Sequence, residues 1–566
     1  MDNIDPAQSS QMLPNSADEG QTEPGGCARA FRWVDTASIL ALMTLSLAIH
    51  AFLIRHTEVA ARDSIGFIRY AWELKHQPWE NVLKNSHQHP GYPVALLAVS
   101  GVVRHFVSGP EVRVFQLSAQ LTSLLAGILI IIPMYLLGSR LIDRKTGLWA
   151  AALFQCLPLS SRLMADGLSE ATFLLFVATA LYFGVAALQG TSRLWYALCG
   201  LFGALAYLTR PEGALVIAAA VLVLLGMGAY RFRRQSLQKC FRYGAALLGT
   251  ALFVASPYYL TIGGFTTKPT ANIMLGAPQD EISAPVSHLV PIGEDRAASE
   301  SWHEKNVSSA ALFCAFAPES PHSRNWWAIK ALVTELCRGF QYFAGIPALL
   351  GLWLFRHRLR ESAAPWLIVV FGLLQCVVLW KLARVMGYLS ERHIVGLLLC
   401  GVFPAAGAIP FVADWLTQAI SRTGYGGLIR SNPEWARGWL TAGLLAALTF
   451  SSIPETLKTL HANRSGHRSA GLWLAQHSSP ADPVTDPFCW AHYYAGKVFL
   501  EGTKPDAPPG YVPTRYVVMD DREHTRLPLM SEAKQFAEHG KIVYHWPENK
   551  PLDKGTVFVY AVPATP

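Results

Sequence analysis

Apolar residues in this chain gather in unbroken blocks instead of alternating with polar ones at the short period of a sheet. Runs such as 121–137, 213–228 and 364–380 hold scarcely any charge, and blocks of that length and purity are membrane spans. The blocks predict eleven spans, over 36–54, 114–138, 147–163, 170–188, 194–208, 213–230, 241–262, 341–355, 364–382, 393–412 and 437–454. A further apolar stretch, 91–107, is short and carries Arg104 and His105. A charge held centrally in hydrocarbon costs about 2.5–3.5 kcal/mol, so this stretch is expected to lie along the membrane surface as an amphipathic helix.

Both ends break the pattern. The first 35 residues are rich in Pro, Gly, Ser, Gln and Asp and bury too little apolar surface to order themselves. The first apolar run begins near Thr36 without a small-residue cleavage site, which reads as a retained signal anchor. After His461 a helical stretch (469–476) is followed by strand-like runs at 516–519, 541–544 and 556–562, with a polar helical segment near 531–539 between them. The expected architecture is an all-α polytopic membrane protein with juxtamembrane helices and a small C-terminal α/β domain. Its divisions are a disordered tail (1–35), a membrane domain (36–456) and an extracytoplasmic domain (457–566) that docks on the rest or binds substrate.

Composition agrees: 51% of residues are hydrophobic, 15% are charged and the mean hydropathy is +0.26, against about 25% charged in soluble proteins. Of nine cysteines, Cys156, Cys199, Cys376 and Cys400 sit inside apolar runs, and no CxxC spacing occurs. That excludes a disulfide framework and argues against a thiolate metal site. The net charge of +8 and a pI near 8.9 do not point to nucleic acid, because in a membrane protein the placement of basic residues reports orientation. With 91–107 on the surface, Arg140, Arg144 and Lys145, then Arg231, Arg233, Arg234, Lys239 and Arg242, then Arg356, Arg358 and Arg360 all fall on one side. The positive-inside rule makes that side the cytoplasm. The N-terminus is then inside the plasma (inner) membrane, and loops 56–113 and 263–328 and the tail after about 456 are external.

In this topology the remaining ionisable residues collect outside: Asp63, Asp166 and Glu170, Arg210 and Glu212, and Arg384, Glu391, Arg392 and His393. Asp63 precedes Ile65, Ile68 and Trp72, which share a helical face expected to rest on the membrane. A partly desolvated carboxylate there suits a general base, and its position equally suits a helix N-cap. Asp166 and Glu170, four residues apart, share a face if their turn is helical, and Asp166 could cap span four. Arg210 lies in a Leu-Thr-Arg-Pro-Glu-Gly turn and can meet a phosphate or a carboxylate. His87 and His89, two apart, point different ways, so their Pro-rich turn fits phosphate contact or headgroup solvation better than a metal. Arg384 and Arg392 flank a short loop as an anion clamp, or as headgroup anchors.

These motifs resemble, in order and spacing over about 36–412, the polyprenyl-phosphate-sugar-dependent glycosyltransferases of the GT-C superfamily, in the branch of protein O-mannosyltransferases and aminoarabinose transferases. The matching residues are Arg62-Asp63-Ser64, His89-Pro90-Gly91-Tyr92-Pro93, Gly167-Leu168-Ser169-Glu170, Leu208-Thr209-Arg210-Pro211-Glu212-Gly213 and Ser390-Glu391-Arg392-His393. Gly91 departs from the family's usual second proline. The resemblance implies Asp63 as catalytic base, Glu170 as the second acid, and Arg384, Arg392 and Arg210 as donor-phosphate ligands. It implies inverting transfer of a sugar from a polyprenyl-phosphate to an acceptor hydroxyl of a protein, lipid or glycan. A divalent metal shared by Asp63 and Glu170 stays open. The rival reading is a transporter or lipid-handling protein binding an anionic substrate in the same external cavity; the inverted repeats it calls for are not visible.

Overall fold

The computed structural model describes residues 33–229, 237–276, 321–422, 432–501, 508–522 and 528–563. Almost all of the expected N-terminal tail, the basic residues Arg231, Arg233 and Arg234, and much of the loop expected over 263–328 lie outside the described residues.

The apolar blocks fold as helices. In chain order these are α1 (Trp33–Arg55), α2 (Arg62–His76), α3 (Trp79–Asn85), α4 (Gly91–Val103), α5 (Glu111–Leu129), α6 (Ile131–Leu141), α7 (Arg144–Cys156), α8 (Pro158–Leu163), α9 (Ser169–Gln189), α10 (Arg193–Thr209), α11 (Ala214–Ala229), α12 (Leu237–Ile262), α13 (Pro269–Leu275), α14 (Pro321–Gly339), α15 (Gly345–Leu354), α16 (Ala364–Met386), α17 (Val395–Ser421) and α18 (Pro433–Phe450). Among the described residues, six helical stretches are long and apolar enough to cross a membrane: α1, α5 with α6, α9, α12, α16, and α17 with the turn before it. The other five expected spans are also helical but shorter, interrupted or less apolar. The block 147–163 breaks at Leu157, whose extended backbone precedes Pro158, a residue pair that disfavours continuing the helix. The block 341–355 yields only the ten residues of α15, because Gln341 and Tyr342 take positive φ ahead of it. With 13 residues, α4 is about 20 Å long, too short for a hydrocarbon layer of about 30 Å.

At the centre stands α9, whose Ala171, Leu174, Val177, Ala178, Leu181 and Val185 are fully buried against α5, α6, α10 and α16. Polar side chains inside the bundle are paired across helices. Gln155 of α7 accepts from Ser46 of α1 at 2.9 Å and donates to the Gly127 carbonyl of α5 at 2.7 Å.

The chain then changes class, as its pattern predicts. Helices α19 (Ser465–His477), α20 (Trp490–Tyr494) and α21 (Pro528–Glu538) accompany strands β1 (Val484–Thr485), β2 (Arg515–Asp520), β3 (Lys541–Trp546) and β4 (Val557–Val562). The sheet order is β1-β2-β4-β3, with β1 parallel to β2 and the other pairs antiparallel. Ala470 and Leu474 of α19 pack with Val518, Val557 and Val559 of the sheet. A separate core joins this segment to the helices after α1: Ile65 and Ile68 of α2 and Phe115 of α5 are buried with Phe488, Trp490, Tyr493 and Phe499. Trp72 of α2 lies 5.7 Å from the Phe499 ring. The apolar face of α2 expected to rest on the membrane therefore rests on protein instead, on α4, α5 and the C-terminal segment, since packed protein surface removes it from water as fully as lipid does.

Replacing Gln155 by Leu keeps its volume but removes both bonds, leaving the Ser46 hydroxyl only the 3.3 Å contact with His50 Nδ1. We expect the thermal midpoint in detergent to fall by the equivalent of about 1–2 kcal/mol; an unchanged midpoint would show that the bridge contributes nothing.

Candidate active site

Several chain ends converge at one end of the bundle. Asp63 lies in the first turn of α2 and Glu170 in the first turn of α9, where unpaired backbone N–H groups and the helix dipole favour negative charge. Arg210 follows α10, Lys268 precedes α13, and Arg392 lies in the short helical turn Glu391–Ile394 that leads into α17. Two glycines draw these ends together. Gly167, at φ +68°, turns the chain into α9, and a Cβ there would stand 2.9 Å from Ser64 Oγ in the first turn of α2. At Gly91 a Cβ would stand 2.8 Å from the Leu208 carbonyl oxygen, so the departure from the family's proline accompanies a close approach of α4 to the end of α10.

The charges pair across these ends. Arg392 contacts Asp63 directly, and Arg210 Nη1 donates to Glu170 Oε1 at 2.8 Å and to Ser169 Oγ at 3.3 Å. Arg210 also lies 3.5 Å from Glu212, which lies 3.8 Å from Lys268 Nζ. Three carboxylates thus face three cations. The Glu170 side chain is only 4% exposed, and its Oε2 has no hydrogen-bond partner among the described residues. Asp63 is 43% exposed and Arg392 34%, so that pair faces open space.

The Arg392 guanidinium holds the Asp63 carboxyl down at about 2; burial opposes this, and Arg62 and Lys268 add to the lowering. A depressed carboxyl stabilises the fold above the ordinary carboxylate range and loses that contribution as pH falls towards 2. Exposure of the pair keeps the contribution small. Burial lowers the Lys268 ammonium, against the pull of Glu212. Burial also lowers His89 to about 4, so it is neutral near pH 7.

Not every candidate joins the cluster. His89 is 2% exposed, and its Nδ1 lies 2.7 Å from the Tyr207 carbonyl and its Nε2 2.8 Å from Thr266 Oγ1. With both nitrogens engaged it is a brace between loops, and no nitrogen is left for phosphate. The turn between Asp166 and Glu170 is not helical, so the two carboxylates part: Asp166 accepts from His461 Nε2 at 2.9 Å, and the N-cap of α9 is Leu168. Asp63 is likewise no cap, since Ala61 holds that position. Arg384 lies over the Trp380 ring at 5.5 Å, whereas Arg392 engages Asp63. Glu391 is exposed, and His393 Nδ1 accepts from the Ser390 backbone at 3.2 Å in a capping box. Among the described residues no three His, Cys, Asp or Glu side chains converge as metal ligands, and Asp63 and Glu170 each face an arginine. Lys268 escaped sequence reasoning. Its signal was a lone basic residue just beyond span seven in a loop expected to be external.

Residues 113–260 match the family described as dolichyl-phosphate-mannose-protein mannosyltransferase. The fold is similar to that of ArnT from Cupriavidus metallidurans bound to undecaprenyl phosphate, at 14% identity and a TM-score of 0.55, covering 94% of this chain and 98% of that one. The same protein without ligand matches at 13% identity and a TM-score of 0.52, covering 93% and 98%. A looser likeness extends to the archaeal oligosaccharyltransferase AglB from Archaeoglobus fulgidus, at 13% identity and a TM-score of 0.45, covering 85% of this chain and 62% of that one. No curated protein sequence matches. The resemblance drawn from the sequence is thus met by a family match over 113–260 and by a similar fold, and the apolar helices support an integral membrane protein.

Removing one member of a buried ion pair strands its partner. Arg210→Gln is expected to destabilise the protein by about 3 kcal/mol or more, read as a lowered thermal midpoint in detergent. Adding Glu170→Gln should restore part of the loss, and a purely additive double variant would refute the coupling of the pair.

Proposed function

We propose that the protein transfers a sugar from a polyprenyl-phosphate donor to an acceptor hydroxyl on the external face of the plasma membrane, with inversion at the anomeric carbon. The observation that carries this reading is the Asp63–Arg392 pair beside the Glu170–Arg210 pair at one end of an apolar bundle. A carboxylate that can take a proton sits there next to cations that can take a phosphate. The likeness in fold to a protein that binds undecaprenyl phosphate supports it. The reading includes eleven spans, a cytoplasmic N-terminus and an extracytoplasmic domain over 457–566.

In this reaction the acceptor oxygen attacks the anomeric carbon, its proton passes to Asp63, and the bond from that carbon to the phosphate oxygen breaks. The donor is a phosphodiester with one negative charge, and the departing polyprenyl phosphate gains a second as the bond opens. Arg392, Arg210 and Lys268 therefore stabilise the transition state more than the bound donor, which is what accelerates a reaction. Arg392 has donors enough to reach a phosphate while keeping an edge towards Asp63. As its charge is shared, the hold on Asp63 weakens and the carboxylate becomes a better base. Glu170 keeps Arg210 in place.

In a reconstituted assay of undecaprenyl phosphate release, Asp63→Asn should abolish turnover while the thermal midpoint stays near that of the wild type. Retained turnover would remove Asp63 from the reaction. Arg392→Ala should slow turnover and also move the acid limb of kcat/KM upward by roughly two pH units, because Asp63 loses the partner that depresses it. An acid limb that stays in place would argue that another group sets it.

A further inference from the structure

We infer that Trp490 and Tyr494 of the C-terminal segment are positioning residues for Asp63; this rests on the reading of Asp63 given above. The chain between α1 and α2 has no regular structure from Glu58 to Ala61, yet Val59, Ala60 and Ala61 are buried. Buried backbone polar groups need partners, and here the C-terminal segment supplies them. The Ala60 N–H donates to Tyr494 Oη at 2.9 Å, and the Ala60 carbonyl accepts from Trp490 Nε1 at 2.8 Å. The Tyr494 hydroxyl passes its own proton to Gln116 Oε1 of α5 at 3.2 Å. Glu58 is held from the same side: its N–H donates to the Leu460 carbonyl at 3.1 Å and its carbonyl accepts from Arg468 at 3.3 Å.

This clamp closes just before Asp63. Ala61, the N-cap of α2, offers no side-chain cap to the first turn, so nothing local to the helix sets where it begins. The two ring partners on Ala60 set it, and with it the place of the carboxylate two residues after the cap. Trp490 and Tyr494 are themselves nearly buried, at 7% and 6% exposure, so they do not touch a ligand at the cluster. Their effect passes through the Ala60 backbone. Misplacing a reacting group by about an ångström costs up to roughly 100-fold in rate.

The test is the full-length variant Trp490→Phe/Tyr494→Phe in detergent, which removes both polar groups and keeps an aromatic ring at each position, though Trp490→Phe also trims the indole to a phenyl. Amide hydrogen exchange over 56–62 should speed up. The turnover number in the undecaprenyl phosphate release assay should fall by roughly 10- to 100-fold, with undecaprenyl phosphate affinity within about twofold of wild type. Tyr544→Phe, which breaks the hydrogen bond to Glu548 elsewhere in the same segment, should leave turnover unchanged. Trp490→Phe alone should give an intermediate loss and serves if the double variant does not fold. Exchange over 56–62 that stays slow would mean there is no clamp, and faster exchange with undiminished turnover would mean that the clamp does not position Asp63. Either result overturns the inference. Failure of the underlying reading is seen separately, as turnover retained by Asp63→Asn.

Discussion

Everything at this site follows from the cost of holding charge at the end of an apolar bundle. A carboxylate or guanidinium withdrawn from water is tolerated only with an opposite charge and filled hydrogen bonds. Asp63, Glu170 and Glu212 therefore face Arg392, Arg210 and Lys268, and the chain is arranged to let them meet. Two of the acids occupy helix N-terminal turns, where the backbone already favours them. Glycine permits the contacts at Gly167 and Gly91. His89 ties the loops behind the cluster as a neutral, fully bonded ring.

The C-terminal segment belongs to the same arrangement. Aromatic residues from Phe488 to Phe499 share a core with α2 and α5, and His461 engages Asp166 beside the turn that opens α9. The helix bearing Asp63 and the turn that leads into the helix bearing Glu170 are thus both touched by residues from beyond the last apolar helix. At 15 residues α2 is marginal as an isolated helix in water, so its burial against α4, α5 and this segment is what orders it.

Much of this was legible in the sequence, and the failures share one cause. Uncharged blocks predicted the helices, and the break in pattern after His461 predicted strands near 516–519, 541–544 and 556–562, which fold as 515–520, 541–546 and 557–562. Asp63, Glu170, Arg210, Glu212 and Arg392 were recognisable because charge at the edge of an apolar run is expensive. Partnership was not recognisable, since it joins residues from 40 to more than 300 positions apart. Asp166 and Glu170 looked like one helical face, yet a positive φ at Gly167 separates them. Arg384 and Arg392 looked like a clamp, yet the first lies over Trp380 and the second on Asp63. The apolar face of α2 was visible as a stripe, but a stripe does not say whether lipid or protein covers it.

A cluster whose charges are already matched can take a charged ligand only by exchange. Each cation that turns towards a phosphate leaves a carboxylate short of a partner, and an unpaired carboxylate at the edge of an apolar bundle is costly. In the proposed reaction that debt is met by the second substrate: the acceptor hydroxyl donates to Asp63 as Arg392 shifts towards the donor. Donor and acceptor then favour each other's binding through one shared arginine, without any movement of helices. The same coupling keeps Asp63 a weak base until a phosphate is present, so a carboxylate held at about 2 by Arg392 fits a base that acts only once donor and acceptor are both bound.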